Sequence, residues 1–175
     1  MAVIGTGNLG LSAVQVIKAM GATIHSVGIE EPGLESARHL GTDEVMRPEQ
    51  AARDSYSVVL EFSGSEQAAK LAPEVVAPGG RIGYVGIVPV AVKDYPVSSL
   101  VIKDVEAHGI LSGLNYWDRT LGLAAKRWLN PRQLVDRVFP YTEAPAAFER
   151  LISQNRARPK LAISFEGGSA SLSNN

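Results

Sequence analysis

Ala2-Val3-Ile4-Gly5-Thr6-Gly7-Asn8-Leu9-Gly10-Leu11 is a short apolar run that breaks into three glycines spaced G-x-G-x-x-G. The spacing alone is a weak signal, because its meaning depends on a strand before it and a helix after it. Both are legible. Val3 and Ile4 are β-branched, and Leu11, Val14 and Ile17 recur three or four apart up to Met20, as a buried helix face requires. Gly21 then stops the helix. In a turn of this kind Gly5 allows the tight bend, Gly7 lets the backbone approach a pyrophosphate, and Gly10 lets the helix pack closely on the strand. The helix N-terminus favours an anion by roughly 0.3 to 1 kcal/mol at exposed sites, so ligand affinity has to come from many contacts together.

Outward from this turn, strand and helix patterns alternate. Thr23 to Val27, Glu44 to Met46, Ser57 to Phe62, Arg81 to Ile87 and Ala107 to Ser112 read as further strands. Helical patterns fall at Leu34 to Leu40, Glu66 to Val76, Ser98 to Val105 and Asp118 to Leu129. Ser57 to Phe62 is nearly all apolar, as a central parallel strand covered on both faces should be. The alternation predicts an α/β fold with a doubly wound parallel sheet in three layers. Ser63 and Gly64, small residues after the central strand, leave room for a ligand. Val88 to Pro96 reads as a loop over the sheet edge. Later, Leu134 to Phe139 is extended, Thr142 caps a helix to Gln154, and Lys160 to Phe165 is a last strand. Trp117 and Trp128 read as core or interface aromatics, and Arg156, Arg158 and Lys160 as a solvated connection. The polar tail, 166 to 175, is expected to be disordered.

Composition excludes several chemistries. With 45% hydrophobic residues, 20% charged residues and a formal charge of -1, nothing points to a nucleic-acid or membrane surface. No apolar run reaches about 18 residues and no signal-peptide order opens the chain, so a cytoplasmic location is the expectation. Zero cysteines remove disulfides, thiolate nucleophiles and Cys-based zinc sites. His25, His39 and His108 lack partners at metal-ligand spacing, so neither a metal site nor acid–base machinery is visible. An NAD site usually carries an Asp or Glu about 20 residues beyond the glycines to bind the ribose hydroxyls. Here the sequence is Gly28-Ile29-Glu30-Glu31. Either Glu30 takes that part or the two carboxylates are a solvated start to the next helix. They would repel a 2′-phosphate, which favours NAD over NADP.

The order of pieces resembles the medium-chain dehydrogenase/reductases, in particular the zinc-type alcohol, sorbitol and threonine dehydrogenase-like branch. The resemblance covers residues 2 to 165. It rests on Gly5 to Leu11 running on through Gln15 to Ala22, then Ala37 to Asp43, Val59 to Gly64, and Ala77 to Ile82 with Val85-Gly86. It implies a Rossmann domain in which Gly5, Gly7, Asn8, Leu9 and Gly10 hold the pyrophosphate. Ser63 and Gly64 would border the adenosine side, and Val85, Gly86 and Ile87 would approach the nicotinamide. Gly28 stands where NAD-preferring members carry Asp, so the cofactor is NAD or NADP.

Family members begin with a separate catalytic domain that carries the substrate pocket and zinc ligands, and these have no counterpart here. The resemblance therefore implies a cofactor-binding domain, 1 to 133, followed by a helix and strand, 134 to 165, that in complete members pack on the catalytic domain. That segment is expected to be displaced, mobile or completed by another copy of the chain. The expected partners are the dinucleotide, the catalytic domain, and a second copy through the edge 107 to 112. The chain alone should bind dinucleotide without oxidising alcohols. The alternative is a non-catalytic dinucleotide-binding regulatory or sensor module.

Overall fold

A computed structural model describes residues 1–111, 113, 115–153 and 156–165. Six strands form one parallel sheet in the order β3-β2-β1-β4-β5-β6. They are β1 (Ala2–Ile4), β2 (His25–Val27), β3 (Glu44–Met46), β4 (Tyr56–Glu61), β5 (Val76–Tyr84) and β6 (Glu106–Gly109). The helices between them are α1 (Asn8–Ala19), α2 (Glu31–His39), α3 (Glu66–Val75) and α4 (Val97–Ile102). This is the doubly wound arrangement read from the sequence. The strand order reverses between β1 and β4, which pair with Val3 opposite Leu60 and Ile4 opposite Glu61. A sheet of this kind opens a crevice at the carboxyl ends of the strands where the order reverses.

Sheet alternation sends neighbouring residues of β1 to opposite layers. Ala2 and Ile4 join Val59, Ala68, Ala72, Val75 and Ile82 in a core with α3, whereas Val3 packs with Val14, Ile17 and Ile24 under α1. Asp43 ties the start of β2 to α1, since it accepts a hydrogen bond from Ile24 N at 2.8 Å and pairs with Lys18 Nζ at 2.7 Å. Those contacts, the Lys18 bond first, hold its carboxyl below the usual aspartate range.

The outer elements are shorter than their sequence patterns predict. α4 stops at Ile102 rather than Val105, because Asp104 adopts a positive φ of 53°. β6 ends at Gly109, although Ile110 N still donates to Tyr84 O at 2.8 Å. Ser112, the last residue of the expected strand, lies outside the described residues. α5 (Trp117–Ala125) ends before Leu129, with Arg127 at φ 61°. Trp117 is 75% exposed, so it is not a core aromatic of the chain.

The segment from Leu134 onward forms a unit of its own. β7 (Val135–Pro140) and β8 (Lys160–Ser164) pair in parallel, joined by α6 (Ala144–Ile152). Thr142 does not cap α6; it lies in a 3-10 turn, Tyr141–Glu143, and α6 has no side-chain cap. Leu134 is buried against Leu11 and Ala37, and Asn130 N donates to Gln15 Oε1 at 2.7 Å, so the unit is anchored on α1 and α2. Gln154 and the tail, 166 to 175, lie outside the described residues.

Candidate functional site

A cleft of about 530 Å³ lies at the carboxyl ends of β1, β2 and β4. That volume suits a small-molecule or cofactor site. Gly5, Thr6 and Gly7, the stretch Gly28 to Glu30, and Phe62, Ser63 and Ser65 are among the residues that line it.

The glycine turn is built as its motif requires. Gly5 sits at φ 103°, and a Cβ there would lie 2.8 Å from Ser63 N, so only glycine lets the β1 turn pass so close to β4. Gly10 backs directly on the Gly5 carbonyl. Gly7 differs from both. It is the N-cap of α1, and no atom lies within 4 Å of where its Cβ would be. Its neighbourhood is open space beside a helix N-terminus that has no side-chain cap and no acidic residue in the first turn. An open helix N-terminus of this kind favours an anionic group.

Packing also explains the missing ribose carboxylate. A Cβ on Gly28 would meet Thr6 Oγ1 at 2.6 Å and Leu34 Cδ2 at 3.1 Å, so position 28 has no room for Asp while Thr6 is in place. Glu30 lines the cleft as the N-cap of α2, and its side chain makes no capping bond. Glu31 turns away into ion pairs with Arg38 and Arg47. Of the two carboxylates, Glu30 alone faces the cleft.

Glu61 is the one feature here that the apolar reading of its strand passed over. It ends β4 with its side chain fully buried. Oε1 accepts hydrogen bonds from Ser63 N and Ser63 Oγ, both at 2.6 Å, and from Gly64 N at 3.0 Å. Oε2 has no hydrogen-bond partner among the described residues. It lies beside Gly86, where a Cβ would approach it to 2.7 Å. Gly64, at φ 67°, packs in turn on Ile87, so the β4 and β5 turns interlock above this carboxylate. At the same end of β5, Tyr84 donates to Ala69 O at 3.2 Å and meets Tyr95 Oη at 2.6 Å, which ties down the loop after β5. Burial, the Tyr95 bond and the Glu61 charge push the Tyr84 phenol well above its ordinary range.

Gly5, Gly7, Gly28, Glu30 and Ser63 thus line one cleft. Asn8, Leu9 and Gly10 stand behind its glycine turn on α1, while Gly64, Val85, Gly86 and Ile87 form the neighbouring turn pair and do not line it. Arg156 to Pro159 also line the cleft, and Arg158 remains exposed as the reading of a solvated connection expects. Ser36 Oγ bonds Ala157 O at 3.0 Å, and Asp136 accepts from Ala157 N at 2.9 Å while pairing with Arg150 at 2.8 Å. The cluster of basic residues was visible in sequence, but its place on the cleft depends on the fold of β7, α6 and β8. No group of three or more His, Cys, Asp or Glu among the described residues is placed to hold a metal ion, so these residues do not fit zinc. Nor is any described helix long and apolar enough to cross a membrane.

The fold and cleft together define a dinucleotide-binding Rossmann domain. The family model described as zinc-binding dehydrogenase matches residues 8–126, and the chain belongs to that family. It is 28% identical over 166 residues to the zinc-type alcohol dehydrogenase-like protein YdjJ of Escherichia coli (strain K12), covering 88% of this chain and 47% of that protein. It is also 28% identical over 158 residues to the sorbitol dehydrogenase of Gallus gallus, covering 83% and 44%. Among solved structures it is similar to the alcohol dehydrogenase TADH from Thermus sp. ATN1, with a TM-score of 0.80 and 30% identity over 93% of this chain and 50% of that one. The chain spans about half the length of the relatives it matches.

Proposed function

We propose that the chain binds and orients NAD(H) or NADP(H) for hydride transfer to or from an alcohol or polyol, in concert with a catalytic domain. The observation that carries this reading is the open space beside Gly7 at an uncapped helix N-terminus, inside a cleft of cofactor size. In this reading Gly5 to Gly10 receive the pyrophosphate, with Asn8, Leu9 and Gly10 supplying the free first-turn N–H groups of α1. Glu30 accepts hydrogen bonds from the adenosine ribose, which favours NAD. Val85, Gly86 and Ile87, in the turn pair beside the cleft, approach the nicotinamide. The bound cofactor supplies the hydride acceptor or donor; the chain supplies position and field. The substrate pocket and any metal chemistry belong to the partner domain, and the working compartment is the cytoplasm.

Calorimetric titration with NADH tests the proposal. Wild type should bind, and Gly7→Val, which fills the open space without meeting a protein atom at its Cβ, should bind at least tenfold more weakly at unchanged Tm (about 1.4 kcal/mol). Equal affinity of the two proteins would contradict the assignment of the pyrophosphate to this turn. Retained NADH binding without any oxidoreductase activity beside a catalytic domain would instead favour the sensor module.

A further inference from the structure

Among the described residues that line the cleft, only Glu30, Arg156 and Arg158 are charged, so the lining carries a net positive charge. A guanidinium keeps that charge at any physiological pH. Arg156 is half-buried and Arg158 exposed, and neither has a carboxylate partner among the described residues. Arg156 Nη1 donates to Pro159 O at 3.0 Å, and Arg158 Nη1 to Val135 O at 3.4 Å. The acids around them are engaged elsewhere, Glu31 by Arg38 and Arg47, Glu35 by Arg38, and Asp136 by Arg150. Glu30 alone is left to oppose the two arginines.

Packing sets both arginines beside the end of β2. A Cβ on Gly28 would meet Thr6 Oγ1 at 2.6 Å and one on Gly33 would come closer still, so the end of β2 and the first turn of α2 converge on Thr6. Ser36 lies three residues beyond Gly33 on the same helix face, about 4.5 Å along the axis. Its Oγ bonds Ala157 O at 3.0 Å, and Asp136 accepts from Ala157 N at 2.9 Å, which fixes the loop between the arginines at that place. The carboxyl end of the second strand is where a Rossmann fold reads the ribose of a dinucleotide, with a carboxylate for a bare 2′-hydroxyl and an arginine for a 2′-phosphate. Position 28 has no room for the carboxylate, and the arginines come from another part of the chain.

We propose that Arg156, flanked by Arg158, receives a 2′-phosphate, so that the cleft accepts NADP(H) beside NAD(H). The inference rests on the reading that a dinucleotide occupies the cleft with its adenosine ribose at Glu30. Glu30 by itself would repel the added phosphate; the two guanidinium charges offset it. Cofactor choice is thereby set by the loop between α6 and β8, outside the six-stranded sheet that forms the rest of the cleft.

The full chain is titrated calorimetrically with NADH and NADPH. Wild type should bind NADPH no more than about tenfold more weakly than NADH. Arg156→Gln should lose about tenfold in NADPH affinity, as removal of a charge-assisted hydrogen bond gives, and stay within about twofold for NADH. Arg156→Lys, which keeps the charge, should retain most of the NADPH affinity. If Arg156→Gln does not fold, the salt dependence of wild type decides. A contact between arginine and phosphate weakens as salt rises, so NADPH should lose more affinity than NADH. Without that contact salt would only screen Glu30, and NADPH would gain on NADH. Equal loss of both cofactors in Arg156→Gln would put the arginine on the pyrophosphate or in bracing of its loop, and overturns the proposal. Unchanged NADPH affinity in that variant overturns it too, as does wild-type NADPH binding more than about tenfold weaker than NADH. In each of these cases NADH binding leaves the dinucleotide site standing. Failure of wild type to bind either cofactor removes the cofactor reading itself.

Discussion

The inner and outer parts of this chain obey different rules. Around β1, β2, β4 and α1 to α3 most apolar positions are spent on burial: Val3, Leu11, Val14, Ile24 and Val59 are fully enclosed. Across β6, α4 and α5 no residue is buried, and Val101, Ile102, Leu111, Trp117 and Leu121 face outward. α6 similarly exposes Phe148 and Ile152. The inner part buries its apolar side chains within the chain, while the outer part leaves apolar surface of the kind that marks association sites. A second copy at the β6 edge and a catalytic domain at α6 are the partners we propose for it.

The largest effect that would break this comparison is a reversal in the cost of truncation. Ile82→Ala, inside the core with Val59 and Val75, should cost about 3 kcal/mol. Leu121→Ala on α5 should cost under about 0.5 kcal/mol in the isolated chain. Urea unfolding of the two variants measures the difference directly. Equal losses would mean that α5 is packed in solution, by this chain or by a copy of it.

Legibility in the sequence follows the same division. Each glycine of the opening motif is recoverable because its small size answers to one local requirement: the bend at Gly5, the open cradle at Gly7, the backbone contact at Gly10. The inner helices were readable because burial of one face imposes a period, and the central strand because burial on both faces makes it nearly continuously apolar. Outer boundaries were not, because α4 and α5 end two residues before Asp104 and Arg127, whose left-handed conformations the apolar pattern does not announce. Three site features also needed the third dimension. Gly28 is dictated by Thr6 across the turn, and Glu61 hides in an apolar run because its partners come from the next turn. Arg156 and Arg158 reach the cleft only once β7, α6 and β8 fold back over α2.

A smaller effect sharpens the inner half of the comparison. The Asp43 carboxyl is lowered by Lys18 and by Ile24 N, so it binds protons more weakly folded than unfolded. Its contribution to stability is present above the ordinary aspartate range and is lost as the pH falls through its lowered folded value. Asp43→Asn should therefore lower Tm at pH 7 by less than Ile82→Ala does, with the gap to wild type closing in acid. A gap constant from pH 7 to pH 2 would show that the Ile24 N bond, not the charge, carries the effect.

Binding of a nicotinamide dinucleotide in the cleft is tested by the Tm of the full 175-residue chain with NAD⁺, NADH, NADP⁺ and NADPH in turn. A ligand at 100 times its dissociation constant adds about 2.7 kcal/mol, or roughly 5 to 11 °C for a chain of this size. The predicted result is a shift of that order with at least one redox pair, the non-phosphorylated pair giving the larger one if Glu30 holds the ribose. No shift with any of the four would contradict a competent cofactor site in this chain.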